Sequence, residues 1–176
     1  MDLLDAVSGQ RATRHFRDAP VPRATIVRIL DAARWTGSAR NRQPWRFVAV
    51  ADGEVQRRLA RCGRYAGHLG TAPAVIVLLS DPEAGSDTDF DMGRLCQSVV
   101  LAADAMGIGS CPATFFPDDN TVRAARICGA PTPWQAVHAL AVGFPAAAPH
   151  GRSAVPTGRT PLDRILTCIG WEDDGA

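Results

Sequence analysis

Two short polar stretches carry the side chains best suited to chemistry. The first, SARNRQPW at residues 38–45, places the amides of Asn41 and Gln43 shortly after Ser38 and just before a proline and a tryptophan. A carboxamide group can donate and accept hydrogen bonds at the same time. Two such groups on one loop suit the edge of a planar, hydrogen-bonding heterocycle, and a turn whose amides bond to its own backbone is the alternative interpretation.

The second stretch, QRATRHF at residues 10–16, places Arg11 and Arg14 three residues apart with Thr13 between them. An arginine side chain is a rigid, permanently charged fork that fits phosphate and other planar anions. The stretch therefore predicts an anion-binding segment near the start of the fold. A solvated basic edge is the alternative for this stretch taken alone.

An acidic run fails the test for a calcium loop. Asp87, Asp89 and Asp91 alternate along the sequence, but Met92 stands at the sixth position, where glycine is needed. The twelfth position holds Ser98 in place of a bidentate glutamate. The run is interpreted as solvated acidic residues that cap a helix.

Other familiar chemistries also lack their motifs. GIGSCP supplies Gly107 and Gly109 but has Pro112 in place of the third glycine of a dinucleotide-binding fingerprint. The histidines show no zinc-protease spacing, no serine elbow occurs, and Cys111 is interpreted as a packed thiol. All 19 basic residues are arginine, which excludes any lysine-based mechanism. No metal site is predicted.

Composition narrows the class of protein. The 176 residues carry a net charge of +1, so we expect neither a nucleic-acid partner nor a membrane surface as partner. No apolar run approaches the length of a spanning helix, and the N-terminal residues do not resemble a secretory signal. The five cysteines are odd in number and widely spaced, which indicates reduced thiols. We expect a cytoplasmic protein.

Hydrophobic periodicity predicts a mixed α/β or α+β fold, in which the 38–45 loop joins a helix to a strand. The segment from 89 to 106 is apolar around most of its circumference, so it is expected to be buried in the fold or in a subunit interface. Predicted helices span 22–35, 55–62, 89–106 and 120–128, and predicted strands span 45–51, 73–80, 110–115 and 136–143.

After Gly143 the chain becomes rich in proline, with Pro145, Pro149, Pro156 and Pro161 within a short distance. Such a sequence favours an extended path with little helix. We expect an arm that reaches across a partner subunit or folds back on its own domain.

In order and spacing, these motifs resemble those of the FMN-dependent nitroreductase family. The matching elements are QRATRHF, GSARNRQPW, GIGSC, GFP and RTP, which together extend over roughly residues 8–171. The resemblance implies an α+β fold with a central mixed or antiparallel sheet flanked by helices. It also implies a single FMN-binding domain over residues 1–176 and an intertwined homodimer, in which residues 144–176 pack on the partner.

The resemblance also implies roles for individual residues. Arg11 and Arg159 would hold the FMN phosphate, and Arg14 would be the catalytic residue, facing the pyrimidine end of the flavin. A fixed cation there stabilises the negative charge left by hydride transfer. Ser38, Asn41 and Gln43 would line the flavin, in this family often from across the dimer interface.

Departures from the family pattern fall in three places, one of which is Gly37 in place of the usual proline before Ser38. Gln10 stands where an arginine is expected and Ala12 where a serine is expected, so Thr13 is the hydroxyl left in the phosphate-binding segment. The family's W-x-G-G run is replaced by Pro112–Phe116, in which a backbone amide at Thr114 would approach flavin N5. Phe115 and Phe116 are expected to narrow the site.

The function that follows is reduction of nitroaromatics, quinones or related small-molecule acceptors by NADPH or NADH through bound FMN, in two half-reactions. Because the 112–116 segment is altered, a flavin-dependent dehydrogenase that desaturates a specialised metabolite is an alternative function. The substitutions at Gln10 and Ala12 keep open a non-catalytic flavin-binding protein.

Overall fold

The computed structural model describes residues 2–147 and 158–170. Within these ranges the α-helices are α1 (Leu3–Gly9), α2 (Arg23–Ala33), α3 (Gly53–Ala60), α4 (Thr88–Ala105) and α5 (Asp118–Ile127). The strands are β1 (Trp45–Val50), β2 (Ala74–Ser80), β3 (Gly109–Thr114) and β4 (Gln135–Gly143). Short 3-10 turns lie at Ala39–Asn41, Gly67–Thr71 and Leu162–Arg164.

The four strands form one antiparallel sheet in the order β1-β2-β4-β3. All seven residues of β2 are buried, and its side chains alternate between two hydrophobic clusters. Val75 and Val77 face a cluster with Leu59 of α3, whereas Ile76 and Leu78 face a cluster formed with α2 and α4. Helices on both faces of an antiparallel sheet give an α+β architecture, as predicted.

Helix α4 is the longest element and packs on both α2 and the sheet. Leu95, Val99 and Ala103 are fully buried on that side, and the spacing of four residues keeps them on one face. The exposed ring of Phe90 lies near the start of the same helix. In the described ranges, no helix is long and apolar enough to cross a membrane.

Helix α1 escapes sequence prediction because its seven residues are too few to show a helical period and Asp2 forms no side-chain cap. Leu3, Leu4 and Val7 on this helix are all exposed. The predicted arm at 144–176 falls partly outside the described residues, at 148–157 and 171–176. Between these gaps, residues 158–170 are exposed throughout, including the aliphatic side chains of Leu162, Ile165, Leu166 and Ile169.

The expectation that Phe115 narrows the site is wrong. Its ring is 1% exposed and belongs to the core cluster that also contains Leu59 and Cys62. Successive strand residues point to opposite faces, and Thr114 is exposed, so the next side chain turns inward. The backbone continues this pattern, because Phe115 donates a 2.9 Å hydrogen bond to Val137 O. Phe116 is 65% exposed.

This placement predicts unequal effects of two neighbouring truncations. Phe115→Ala should lower the free energy of unfolding by about 3–5 kcal/mol because it empties a core position. Phe116→Ala should change that free energy by no more than about 0.5 kcal/mol because the ring is solvated. Urea denaturation of both variants measures the difference. Equal losses would contradict the assignment of Phe115 to the core.

Candidate functional site

The N-terminal segment after α1 lies along the free edge of β3. Thr13 N donates to Ser110 O at 2.8 Å, and Arg17 N donates to Phe144 O at 2.9 Å. In the opposite direction, Ala146 N donates a hydrogen bond to His15 O at 3.0 Å. These backbone bonds fix residues 13–17 against the sheet and so position the arginines that flank Thr13.

A cavity of about 340 Å³ opens between this segment, α4 and the sheet, a volume typical of small-ligand sites. Its lining combines apolar walls with several hydrogen-bonding groups. The lining residues are Gln10, Arg11 and Ala12 of the N-terminal segment, Gly93, Cys96, Gln97 and Val100 of α4, and Ser110, Pro112, Thr114 and His138 of the sheet.

The chemistry of this lining fits an acceptor-rich, anionic ligand. None of the described residues that line the cavity is Asp or Glu, and Arg11 adds a positive charge. The buried Gln10 Nε2 has no acceptor among the described residues, although Gln10 Oε1 lies 3.4 Å from Gln97 Nε2. A buried amide donor without a partner is costly, and a phosphate or heterocycle acceptor would satisfy it. The residues present therefore fit FMN.

A smaller cavity of about 110 Å³ adjoins the first and shares Gln10, Arg11, Val100 and Ser110 with it, and Asp104 adds a carboxylate to its lining. Thr13 also lines it, and a Cβ at Gly109 would lie only 2.7 Å from the Thr13 side chain. Glycine at 109 therefore makes room for the threonine. Thr13 reaches the same region as Arg11, although Arg11 Nη1 itself donates to Ser8 O at 3.1 Å.

Thr114 and His138 form a hydrogen-bonded pair on the cavity wall. They are partners in the β3–β4 register, and Thr114 Oγ1 lies 3.2 Å from His138 Nδ1. Burial lowers the pKa of His138 from the ordinary 6.5, and the charge of Asp89 opposes this shift only in part. His138 escapes sequence prediction because it belongs to no motif, and only the strand register brings it beside Thr114.

The thiols near the site are protonated. Burial raises the pKa of Cys96 to about 11. Burial also raises the pKa of Cys111, and the nearby Arg14 guanidinium opposes that shift. These shifts agree with the interpretation of Cys111 as a packed thiol. Within the described ranges, no three His, Cys, Asp or Glu side chains group together as metal ligands.

The 38–43 loop has an unusual backbone. Arg40, Asn41 and Gln43 all have φ near +50°, in the left-handed region that non-glycine residues rarely adopt. Ser38 Oγ accepts the Gln43 N–H at 2.9 Å, and Gln43 Nε2 donates to Asn41 Oδ1 at 3.1 Å. The loop thus bonds partly to itself, while the Asn41 and Gln43 side chains remain exposed.

The prediction that the acidic run is solvated is wrong for one of its three aspartates. Asp91 is only 2% exposed, and its Oδ2 accepts the Ala39 N–H at 2.9 Å. Asp87 and Asp89 are exposed, as expected for the run. Helix capping by the run is not borne out at Asp87, whose side chain makes no cap hydrogen bond at the start of α4.

The structure brings together only some of the predicted site residues. Arg11, Ala12 and Thr114 line the larger cavity and Thr13 the smaller one. Arg14 is exposed beside this region without lining either cavity. Ser38, Asn41 and Gln43 lie on a separate loop outside both cavities, and Arg159 is an exposed residue that donates to its neighbour Gly158 O at 2.8 Å.

Comparison with known proteins decides the family. The sequence model of the Nitroreductase family matches residues 7–62 and 60–144. This chain belongs to the nitroreductase family. The match contains the N-terminal segment, the 38–43 loop, α4 and the sheet, which are the elements described above.

Two relatives and one solved structure are similar to this nitroreductase family member over most of its length. It is 27% identical to a Methanothermobacter thermautotrophicus protein named for NADH dehydrogenase and NAD(P)H nitroreductase activity, over 93% of this chain and 88% of that protein. It is 30% identical to the 5,6-dimethylbenzimidazole synthase of Rhodospirillum rubrum, over 82% of each chain. A Desulfovibrio desulfuricans structure in complex with FMN superposes with a TM-score of 0.80 at 25% identity, over 96% of this chain and 97% of that one.

The lowered pKa of His138 predicts a pH-dependent stability. The unfolded chain binds a proton near pH 6.5 whereas the folded chain resists it, so stability contributed by neutral His138 is lost as the pH falls through that value. His138→Gln should therefore show a smaller drop in melting temperature between pH 7.5 and pH 5. The exposed His15→Gln variant is the control and should keep the wild-type profile. Parallel profiles for all three proteins would contradict the assignment.

Proposed function

We propose that this chain is an FMN-dependent oxidoreductase that uses NADPH or NADH to reduce nitroaromatic, quinone or related small-molecule acceptors. The observation that carries the proposal is the lining of the larger cavity beside the N-terminal segment. It combines a positive charge from Arg11, no carboxylate among its described lining residues, and the buried Gln10 amide without an acceptor. The FMN-bound structure of similar fold supports the choice of cofactor.

Four residues in one region would bind the cofactor. Arg11 and Thr13 would hold the phosphate where the two cavities adjoin, beside the backbone of Ala12, with the charge of Arg11 offsetting that of Asp104 in the smaller cavity. The Thr114 amide would face the ring. When bound, FMN supplies the ability to accept hydride from a nicotinamide and pass two electrons to an acceptor. Arg159 would add a second charge at the phosphate.

The protein's own groups would set the electrostatics of the reaction. Arg14 places a permanent positive charge beside the cavity, where it would stabilise negative charge at the pyrimidine end of the ring. His138 stays neutral at the wall because burial lowers its pKa. Cys96 stays protonated because burial raises its pKa to about 11, so this thiol does not compete as a nucleophile.

A homodimer would complete the site. Ser38, Asn41, Gln43 and Arg159 do not line either of the two cavities described above, so in a dimer those of a second copy could contact the cofactor. The exposed leucines of α1 and the exposed aliphatic side chains of residues 162–169 are apolar surface that a partner would cover.

A flavin-dependent dehydrogenase of a specialised metabolite is the second candidate. One relative is named 5,6-dimethylbenzimidazole synthase, so the names of similar proteins are not limited to nitroreductases. The Pro112–Phe116 segment also departs from the family pattern. A flavin-binding protein without turnover is the remaining alternative, suggested by Gln10 and Ala12.

The first test of the function is anaerobic reduction of the FMN-loaded protein. Addition of NADPH or NADH should bleach the flavin absorbance, and later addition of a quinone or nitroaromatic should restore it. Arg14→Ala should slow the bleaching by about tenfold or more while FMN is retained, because a fixed cation near the developing charge is removed.

The control for that variant is Arg28→Ala, which removes an exposed arginine from α2. It should match the wild type in both bleaching rate and FMN content. Flavin that is bleached by a carbon substrate but by neither nicotinamide would favour the dehydrogenase. Loss of FMN with normal bleaching of the reloaded Arg14→Ala protein would contradict the role given to Arg14.

The dimer proposal predicts that charge in the exposed C-terminal segment separates the subunits. Leu166→Glu combined with Ile169→Glu should raise the dimer dissociation constant by about tenfold or more, because burying carboxylates in an apolar interface is unfavourable. Light scattering coupled to size exclusion measures the mass, and Arg164→Glu in the same segment is the control. A wild-type monomer that binds FMN tightly would contradict the dimer.

A further inference from the structure

The conformation of the 38–43 loop requires an external restraint. Three of its residues, Arg40, Asn41 and Gln43, occupy left-handed backbone conformations with φ between 50° and 54°. Residues other than glycine persist there only when the surrounding structure holds them. Within the loop, Ser38 O accepts the Asn41 N–H at 3.0 Å and Ala39 O accepts the Arg42 N–H at 3.2 Å. These bonds curl the loop but do not attach it to the fold.

The attachment comes from α4. Asp91 Oδ2 accepts the Ala39 N–H at 2.9 Å, and Asp91 Oδ1 lies 3.7 Å from Arg94 Nη1. The Asp91 side chain is only 3% exposed, whereas that of Arg94 is 45% exposed. A buried carboxylate needs hydrogen-bond donors, so the loop backbone and the carboxylate satisfy each other.

Two further contacts show how closely the loop follows this helix. A Cβ at Gly37 would lie 3.0 Å from Arg94 Nη2, so the chain entering the loop passes directly beside that guanidinium. At the other end, Arg42 Nη1 lies 3.3 Å from Asp87 Oδ2. The Arg42 and Asp87 side chains are 28% and 54% exposed, so this pair is partly solvated and contributes less than a buried contact. The buried contact through Asp91 is therefore the main restraint.

The same helix also forms one wall of the cavity. Gly93 and Gln97 line it, one and two turns along from the start of α4. We propose that Asp91 is a positioning residue: its carboxylate sets the backbone of the 38–43 loop so that Ser38, Asn41 and Gln43 can contact the cofactor bound by the second copy in the proposed dimer. This inference rests on the proposed function, because it takes FMN as the ligand of the loop.

The test compares Asp91→Ala, Asp91→Asn and Asp87→Ala by two measurements. Hydrogen–deuterium exchange of the purified protein measures how readily the backbone of the 38–43 loop opens, and equilibrium titration with FMN measures the affinity for FMN. Asp91→Ala should speed exchange at residues 38–43 and weaken FMN binding by about tenfold each, since a hydrogen bond to a charged group is lost. Asp91→Asn should fall between wild type and Asp91→Ala, because its amide oxygen can accept the same N–H.

Asp87→Ala is the matched control, since it removes the exposed contact to the same loop, and it should change either quantity less than about twofold. If Asp91→Ala does not fold, Asp91→Asn carries the test with a smaller effect in the same direction.

Three results would overturn the inference. Both quantities could stay at wild-type values in Asp91→Ala, exchange could rise equally over the whole protein, or the loop could open while FMN affinity is unchanged. Failure of the proposed function looks different: the wild-type protein itself would bind no FMN.

Discussion

The burial of β2 on both faces is the constraint on which the rest of the structure depends. A strand whose seven residues are all buried requires a packed layer on each side of the sheet. Helices α2 and α4 supply one layer and α3 and α5 the other. With β2 and β4 in the middle, β3 is left at an edge, and its unpaired backbone accepts the N-terminal segment. The position of the candidate site follows from this arrangement.

The cavity shows a consistent electrostatic character. In the larger cavity arginine is the permanent charge, the amide and hydroxyl side chains can both donate and accept hydrogen bonds, and Cys96 and His138 are held uncharged by burial. A site of this kind favours an anionic, acceptor-rich ligand without requiring a metal ion or a lysine. Helix α4 connects the cavity with the 38–43 loop, because one side of it lines the cavity and Asp91 contacts the loop.

The periodic elements could be predicted from the sequence, because their apolar residues repeat with the period of a helix or a strand. The strand at β2, the long helix α4 and the loop between α2 and β1 all lie close to their predicted positions. Features that depend on register or tertiary contact could not be predicted. Phe115 turns inward because of strand alternation, and Asp91 is buried because a distant loop packs on it.

The site itself was predictable only where a motif marks it. Arg11 and Thr114 come from motifs and line the cavity, whereas His138 belongs to no motif and enters through pairing of β3 with β4. The roles of Arg11, Arg14, Thr114 and Arg159 stay predictions, and neither Arg14 nor Arg159 lines either of the two cavities described above.

The left-handed backbone of the 38–43 loop limits how this protein could be stabilised by engineering. Glycine adopts positive φ without steric cost, so replacing Arg40, Asn41 or Gln43 by glycine would relieve local strain. The chain instead keeps larger side chains at all three positions. At Asn41 and Gln43 such a replacement would remove the exposed amides from the loop surface. If these amides contact the cofactor as proposed, thermostability would be gained at the expense of binding, a trade-off common at functional sites.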